Sequence, residues 1–144
     1  MPISAGAIDA VLGGYAAEPR IATVGSHSAL DIADGAAAEG FRTLVIAQAG
    51  RERTYAQYFR ARRDASGRLL RGCVDEVWTL ANFREIAGAS IRGRLHERSA
   101  LLVPNRALSS YVPLEAIEEE LDVPIVGARS LLRIEERSER ENYY

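Results

Sequence analysis

Residues 20–46 read RIATVGSHSALDIADGAAAEGFRTLVI, and this stretch determines the predicted fold. The apolar runs Ile21–Val24 and Thr43–Ala47 predict two buried strands, because strands covered on both faces are almost continuously apolar. Between them, small and apolar residues recur at helical spacing, and Gly40 closes the segment. The residues on the predicted inner stripe of this helix are Leu30, Ala33 and Ala37. The stretch therefore predicts one βαβ unit of a parallel sheet.

The turn of this unit, Gly25-Ser26-His27-Ser28, is the first candidate site. A strand's carboxyl end meets a helix's amino end there, and the unpaired N–H groups of the first helical turn favour an anion, most simply a phosphate. Gly25 permits a sharp turn, Ser26 and Ser28 carry hydroxyls, and His27 can donate to a phosphate or a carboxamide. Alternatively, Ser28 only caps the helix, with Asp31 completing a capping-box-like arrangement, and His27 is an exposed loop residue. No G-x-G-x-x-G fingerprint of a dinucleotide site is present.

Composition narrows the classes of function. The chain has 144 residues, enough for one domain with a real core, and a formal net charge of −2. That charge argues against nucleic acid or a membrane surface as a partner. All 18 basic residues are arginine, which excludes a P-loop lysine or a Schiff-base lysine within this chain. Cys73, the single cysteine, is expected to be a buried thiol. The amino terminus has no signal-peptide pattern, so we expect a cytoplasmic protein.

Further strands and helices alternate along the chain. Helices are predicted at Ser4–Tyr15, Phe83–Leu95 (weakened by Gly88 and Gly93) and Leu114–Leu121, and strands at Val74–Leu80, Ala100–Val103 and Ile125-Val126. This alternation predicts the α/β class, with a doubly wound, mostly parallel sheet in a single domain.

Polar residues follow the other strand ends as well. Arg51 comes after the second strand, Asn105 and Arg106 after the fourth, and Gly127-Ala128-Arg129 after the last. Because parallel strands end at one edge, these residues are expected to line a pocket with residues 25–28, although each can also be an ordinary turn residue. The arginine- and tyrosine-rich residues 51–72, with a turn at Ala65-Ser66-Gly67, only superficially resemble a surface for single-stranded nucleic acid. His96 is expected on a helix surface. No cluster of His, Cys, Asp or Glu has the spacing of metal ligands, and the sequence contains no nucleophile-elbow motif.

One family resemblance covers most of the chain, from about Ile21 to Arg137. The matching residues are, in order, Ile21–Leu30 (IATVGSHSAL), Gly35, Glu39-Gly40-Phe41, Gly50-Arg51, Tyr55, Val103-Pro104, Pro124, Gly127, Arg129, Leu132-Arg133 and Glu135. They resemble the amino-terminal domain of archaeal FAICAR synthetase, the ATP- and formate-dependent ligase of purine (IMP) biosynthesis. The Thr-x-Gly-Ser-His segment is the most specific part.

This resemblance implies a Rossmann-like preATP-grasp domain over residues 1–130 that binds the substrate AICAR, with His27 as a contact. It also implies that residues 131–144 form a charged helical tail leading to an ATP-grasp region, present in cis or in trans. That region would hold ATP and Mg²⁺, and this domain would bind no cofactor. Formate is the co-substrate, and family members are commonly homo-oligomers. The chain alone is then expected to be inactive.

Two departures from the family pattern favour an alternative. Where the family carries Pro-His-Gly-Ser, this chain has Pro104-Asn105-Arg106-Ala107, and Ala107 cannot donate a serine hydroxyl. Arg106 or Ser109 could replace that contact. Residues 60–72 resemble a longer insertion than usual. The alternative is therefore a divergent paralogue: a non-catalytic ribonucleotide-binding domain or an assembly domain.

Overall fold

A four-stranded parallel sheet lies at the centre of the computed structural model, which describes residues 1–130 and 132–133. In chain order, the elements are α1 (Ala5–Gly13), β1 (Arg20–Val24), α2 (Ala29–Ala38), β2 (Thr43–Gln48), a π-helical turn (Thr54–Tyr58), β3 (Arg62–Arg63), β4 (Leu69–Arg71), β5 (Glu76–Leu80), a 3₁₀ helix (Phe83–Ala87), α3 (Ala89–Glu97), β6 (Ala100–Leu102), α4 (Arg106–Tyr111) and α5 (Leu114–Glu119). The βαβ unit predicted from residues 20–46 is confirmed.

The order of the strands places a crossover beside β1. The sheet runs β5-β2-β1-β6, with Ile21 opposite Thr43 on one side and opposite Leu101 on the other. The chain moves outward from β1 through β2 to β5, then returns to add β6 on the free side of β1. Such a reversal opens a crevice at the carboxyl ends of the strands, which is where open α/β sheets bind ligands.

Helices cover both faces of the sheet. Alternate residues of β2 point to opposite faces, so Leu44 and Ile46 pack in one cluster and Val45 and Ala47 in another. The first cluster includes residues of the 3₁₀ helix, α3, α4 and α5, and the second includes α2, Tyr55, Cys73 and Val74. The doubly wound prediction is confirmed. Cys73 is buried as expected, and burial raises the pKa of its thiol.

The single helix predicted over Phe83–Leu95 is wrong. A 3₁₀ helix ends at Gly88, whose extended backbone (φ −73°, ψ 154°) separates it from α3. Asn82 opens the 3₁₀ helix with a capping box to Glu85, so a local start signal and a glycine cut the predicted helix in two. The short helix α4 was not predicted, since its six residues contain only two buried side chains, Ala107 and Leu108.

The arginine-rich segment folds as a hairpin at the amino edge of the sheet. The turn at residues 65–67 is confirmed: the Asp64 carboxyl accepts hydrogen bonds from the N–H groups of Ser66 and Arg68. Arg63 of β3 binds Asp75, whose carboxyl also accepts from the N–H of Thr43, the first residue of β2. The hairpin therefore lies at the opposite edge from the crevice beside β1. Ile125 makes one isolated parallel bridge to Leu102, where a short strand was predicted.

The two ends of the described chain meet at α5. The N–H of Ile3 donates to the carbonyl of Glu118 (2.8 Å), and the Glu118 carboxyl accepts from Arg133. Apart from Leu132, which is buried, and Arg133, the predicted charged tail lies outside the described residues. None of the described helices is both long enough and apolar enough to cross a lipid bilayer.

Candidate functional site

The crevice beside β1 brings together two of the predicted strand ends. Residues 25–28 follow β1, and Asn105 follows β6, its neighbour across the crossover. The parallel ladder continues at the edge: the N–H of Gly25 donates to the carbonyl of Ile46 (2.7 Å), and that of Val103 to the carbonyl of Ala22 (2.8 Å). The backbone beneath the candidate site is thus held by the sheet.

Gly25 allows a close approach between β1 and the π-helical turn. A Cβ at this position would lie 2.9 Å from Cε2 of Tyr55 and 3.2 Å from the carbonyl oxygen of Ile46. Tyr55 is buried, which raises the pKa of its phenol, and its hydroxyl donates to the carbonyl of Ser26 (3.4 Å). Tyr55 therefore supports the turn from below, and this packing requires glycine at position 25.

Ser28 does not cap α2, and that prediction is wrong. Its backbone (φ −103°, ψ 3°) lies outside the extended conformation of an N-cap residue, and its side chain makes no capping hydrogen bond. In the described part of the chain, five N–H groups at this helix start donate no hydrogen bond: those of Ser26, His27, Ser28, Leu30 and Asp31. This leaves the amino end of a ten-residue helix with its donors available to an anion.

His27, Arg51 and Arg106 are all exposed. Arg51 follows a tight turn after β2, where Gly50 has φ +91° and the N–H of Arg51 donates to the carbonyl of Gln48 (2.9 Å). Arg106 begins α4. Among the described residues, these three side chains make no hydrogen bond or ion pair with each other or with a carboxylate, although each follows a strand at the same edge of the sheet.

Asn105 joins the two sides of the crevice. Its Nδ2 donates to the carbonyl of Val24 (2.7 Å) and lies 3.4 Å from Oγ1 of Thr23. Its Oδ1 is buried and accepts no hydrogen bond from the described residues. Asn105 thus holds the loop after β6 against the end of β1, and keeps one buried acceptor at the same place.

Glu52 was missed by the sequence reasoning. Its Oε2 is buried and has no hydrogen-bond partner in the described part of the chain, although it follows β2 at the same edge of the sheet. Nothing in the sequence distinguished it, because a glutamate between Arg51 and Arg53 has the pattern of a solvated loop charge.

Arg129 is a structural residue, and its predicted place in the pocket is wrong. Its guanidinium donates to the carbonyls of Ile117 (2.9 Å), Leu121 (2.7 Å) and Val123 (2.6 Å) at the end of α5. Burial lowers the pKa of this guanidinium, and Asp122 partly offsets that effect. The side chain satisfies the carbonyl groups that a helix end leaves unpaired.

Replacing Arg129 by methionine is expected to lower the free energy of unfolding by about 2 kcal/mol, because buried carbonyls lose their donors. Urea denaturation followed by circular dichroism measures this loss. Arg84→Met, at an exposed arginine of the 3₁₀ helix, is the matched control and should change stability by less than about 0.5 kcal/mol. Equal effects of the two substitutions would contradict the structural role of Arg129.

His96 is half-buried on α3, where a surface position was predicted. Its Nε2 lies 3.0 Å from the carbonyl oxygen of Asp122 and 3.4 Å from the carboxyl of the same residue. It thus packs against the segment after α5, away from the crevice. Within residues 1–130 and 132–133, His, Cys, Asp and Glu side chains form no group of three that could hold a metal ion.

A cavity of about 370 Å³ lies apart from the crevice, between the amino-terminal segment and α5. Its lining includes Ile3, Asp9, Glu118 and Arg129, and none of residues 25–28. Since Glu118 and Arg129 already bind other groups of the chain, this space carries no functional assignment.

Comparison with known proteins gives archaeal relatives that share one name. The 5-formaminoimidazole-4-carboxamide-1-(beta)-D-ribofuranosyl 5'-monophosphate synthetase of Methanopyrus kandleri is 38% identical over 119 residues, which are 82% of this chain and 30% of the relative. The protein of the same name from Methanothermobacter thermautotrophicus is 35% identical over 132 residues, 91% of this chain and 32% of the relative. The resemblance to archaeal FAICAR synthetases is confirmed, and the chain spans about a third of their length.

A solved structure supports the fold. The crystal structure of an IMP biosynthesis protein PurP from Thermococcus kodakaraensis matches with a TM-score of 0.60 at 22% identity, over 84% of this chain and 33% of that one. The family described as "Protein of unknown function (DUF1246)" matches residues 21–144. The chain therefore belongs to the DUF1246 family.

Proposed function

We propose that this chain binds 5-aminoimidazole-4-carboxamide ribonucleotide (AICAR), the substrate of an ATP- and formate-dependent ligase that makes FAICAR in purine biosynthesis. The relatives that match more than four fifths of the chain are named for that product. The observation that carries the proposal is the crevice beside β1, where a helix start with free N–H groups meets the loop after β6.

The geometry suggests how a nucleotide would bind. The free N–H groups of residues 26–28 favour its 5'-phosphate, and the exposed guanidinium of Arg51 or Arg106 can add a bidentate contact. His27, exposed in the same turn, can donate to the phosphate or to the carboxamide of the base. Ser26 and Ser28 supply hydroxyls on the same turn, while Gly25 keeps the backbone close to the ligand.

The chemistry of the ligase divides between this chain and a further region. ATP converts formate to formyl phosphate, which the 5-amino group of AICAR attacks to give FAICAR, ADP and phosphate. This chain matches only about a third of the length of those relatives, and within residues 1–130 and 132–133 the His, Cys, Asp and Glu side chains form no group of three that could hold a metal ion. We therefore assign ATP, Mg²⁺ and formate to an ATP-grasp region in cis or trans. This chain, a homo-oligomer on our proposal, orients the amine and has no activity alone.

The alternative is a divergent paralogue that binds a ribonucleotide without catalysis or serves only in assembly. Two observations favour it. Ala107 is buried in α4 and offers no hydroxyl, and the Ser109 hydroxyl donates to the Arg106 carbonyl of its own helix (3.3 Å). Arg106 is then the remaining residue that could make the substrate contact that a serine makes in the family.

His27→Ala is expected to weaken AICAR binding about tenfold, the loss of one charge-assisted hydrogen bond. Isothermal titration calorimetry on this chain measures it. Arg68→Ala, at an exposed arginine of the amino-edge hairpin, is the control and should leave the affinity within twofold. Wild-type protein that binds no AICAR would exclude the substrate role and favour assembly. A formylation assay with ATP, Mg²⁺ and formate, with and without an added ATP-grasp region, then separates enzyme from sensor.

A further inference from the structure

Three buried side-chain atoms in the described part of the chain have no hydrogen-bond partner: Oε2 of Glu52, Nε of Arg92 and Oδ1 of Asn105. Arg92 lies on α3 and already pairs with Asp122 through Nη1 (3.2 Å). The other two residues follow strands at the carboxyl edge of the sheet. Glu52 follows β2 and Asn105 follows β6, the two strands that flank β1. Both orphaned atoms are oxygens that accept hydrogen bonds.

Buried acceptors without donors are rare in native proteins, and each requires an explanation. Glu52 has nearby cations available in sequence, yet Arg51 and Arg53 are exposed and neither pairs with it among the described residues. Its backbone carbonyl accepts from the N–H groups of Tyr55 (3.0 Å) and Ala56 (2.8 Å), so the main chain starts the π-helical turn without help from the side chain. No hydrogen bond or ion pair within residues 1–130 and 132–133 uses the Glu52 carboxyl.

Asn105 is fixed so that its acceptor cannot turn away. Its Nδ2 is held by the carbonyl of Val24 at 2.7 Å, and rotating the amide would bring Oδ1 against that carbonyl. The side chain therefore donates to the protein through Nδ2 and leaves Oδ1 without a donor among the described residues, next to the end of β1. The second acceptor, Oε2 of Glu52, belongs to the loop after β2, on the other side of β1.

We infer that Glu52 and Asn105 form an acceptor pair that recognises N–H donors of the ligand's base, such as an amino group or a carboxamide NH₂. This inference rests on the proposed function, since it assigns the base to these oxygens and the phosphate to the start of α2. A carboxylate accepts hydrogen bonds and repels anions, so Glu52 selects for the donor-rich end of the ligand and against its phosphate. Glu52 is the new binding residue.

Glu52→Gln tests the assignment on the intact chain by calorimetry with two ligands. AICAR carries an amino group and a carboxamide NH₂ on its base, whereas ribose 5-phosphate has the sugar and the phosphate without a base. We expect Glu52→Gln to weaken AICAR binding at least tenfold and to leave ribose 5-phosphate binding within twofold. Asn105→Ala should shift selectivity in the same direction. Glu39→Gln, at the exposed end of α2 on the opposite edge, is the matched control and should bind both ligands as the wild type does.

Each outcome has a separate meaning. If wild-type protein binds neither ligand, the proposed function fails, and this inference fails with it. If wild-type protein binds AICAR and both variants bind it equally well, only the acceptor pair is wrong. If Glu52→Gln weakens the binding of both ligands equally, the carboxyl supports the fold of the loop and does not recognise the base. The same conclusion follows if the substitution lowers the melting temperature enough to account for the loss of affinity.

Discussion

Gly72→Ala is expected to lower the free energy of unfolding by about 4 kcal/mol, the sum of a left-handed backbone penalty and severe overpacking. Gly72 has φ +73°, and a Cβ there would lie 2.2 Å from the carbonyl oxygen of Arg60 and 2.9 Å from that of Phe59. Both obstacles are backbone atoms, which cannot rotate aside. A loss of this size is a large share of the stability of an ordinary domain.

The close approach at Gly72 fixes the hairpin to the sheet. The N–H groups of Cys73 and Val74 both donate to the carbonyl of Phe59 (3.0 Å each), and that of Ala61 donates to the carbonyl of Val74 (2.8 Å). A methyl group at position 72 would separate these two segments. Val74 and Cys73 belong to the cluster under α2, so the disturbance would reach the core.

Gly35→Ala is the matched control for this prediction. Gly35 lies within α2, and a Cβ there would meet nothing within 4 Å. Alanine should therefore stabilise the protein by about 0.5–1 kcal/mol through helix propensity. Chemical denaturation of both variants gives the comparison, and a Gly72→Ala protein within 1 kcal/mol of the wild type would show that the segments can separate without cost.

The sequence predicted the sheet well because its strands carry strong local signals. Ile21–Val24 and Thr43–Ala47 are almost wholly apolar, and such short runs are typical of the interior strands of parallel sheets. The place of the site was predictable for the same reason: once strand and helix alternate, the residues after each strand share an edge. That rule is the basis on which the sequence predicts Gly25 and Asn105 as candidate site residues.

The failures at the candidate site concern hydrogen-bond partners, backbone geometry and burial. In the sequence, Arg129 is one more cation that follows a predicted strand. In the structure, its guanidinium donates hydrogen bonds to carbonyls at the end of a neighbouring helix. Ser28 is a residue type that often caps helices, but its backbone lies outside capping geometry and its side chain makes no capping hydrogen bond. Glu52 appears solvated until the fold buries one of its oxygens. Burial and hydrogen-bond partners are tertiary properties, and a local pattern does not contain them.

The hairpin and the crevice lie at opposite edges of the sheet, so the arginines of residues 51–72 do not form one continuous surface. From sequence, Arg51 and the arginines of residues 60–71 form one basic stretch. In the structure, Arg51 ends at the carboxyl edge, while Arg63 lies at the amino edge, bound to Asp75 next to the first residue of β2. Mutations in the hairpin should therefore test stability, and mutations at residues 25–28, 51 and 52 should test binding.

Asp75→Asn is expected to cost about 3 kcal/mol at pH 7, because it leaves the charge of Arg63 without its partner in a largely buried setting. The Asp75 side chain is 8% exposed, and its carboxyl accepts from Nε (2.7 Å) and Nη2 (3.1 Å) of Arg63 and from the N–H of Thr43 (3.0 Å). Arg42 adds a weaker contact at 3.6 Å. The adjacent Glu76 provides the control: its pair with Arg98 is more exposed, so Glu76→Gln should cost less than about 1 kcal/mol.

The cost of Asp75→Asn should also depend on pH in a definite direction. Burial alone would raise the pKa of Asp75, but the hydrogen bonds from Arg63 and from the Thr43 N–H outweigh it and hold the pKa below its ordinary value of 3.8. A carboxyl whose pKa is lowered by folding stabilises the protein fully above its unfolded pKa, and loses that contribution as the pH falls through the folded pKa. Wild type and Asp75→Asn should thus differ most near pH 7, and the difference should shrink as the pH falls below the ordinary value of 3.8. Urea denaturation of both proteins at a series of pH values measures the difference, and a constant gap between pH 7 and pH 2.5 would show that the lost interaction is not the ion pair with Arg63.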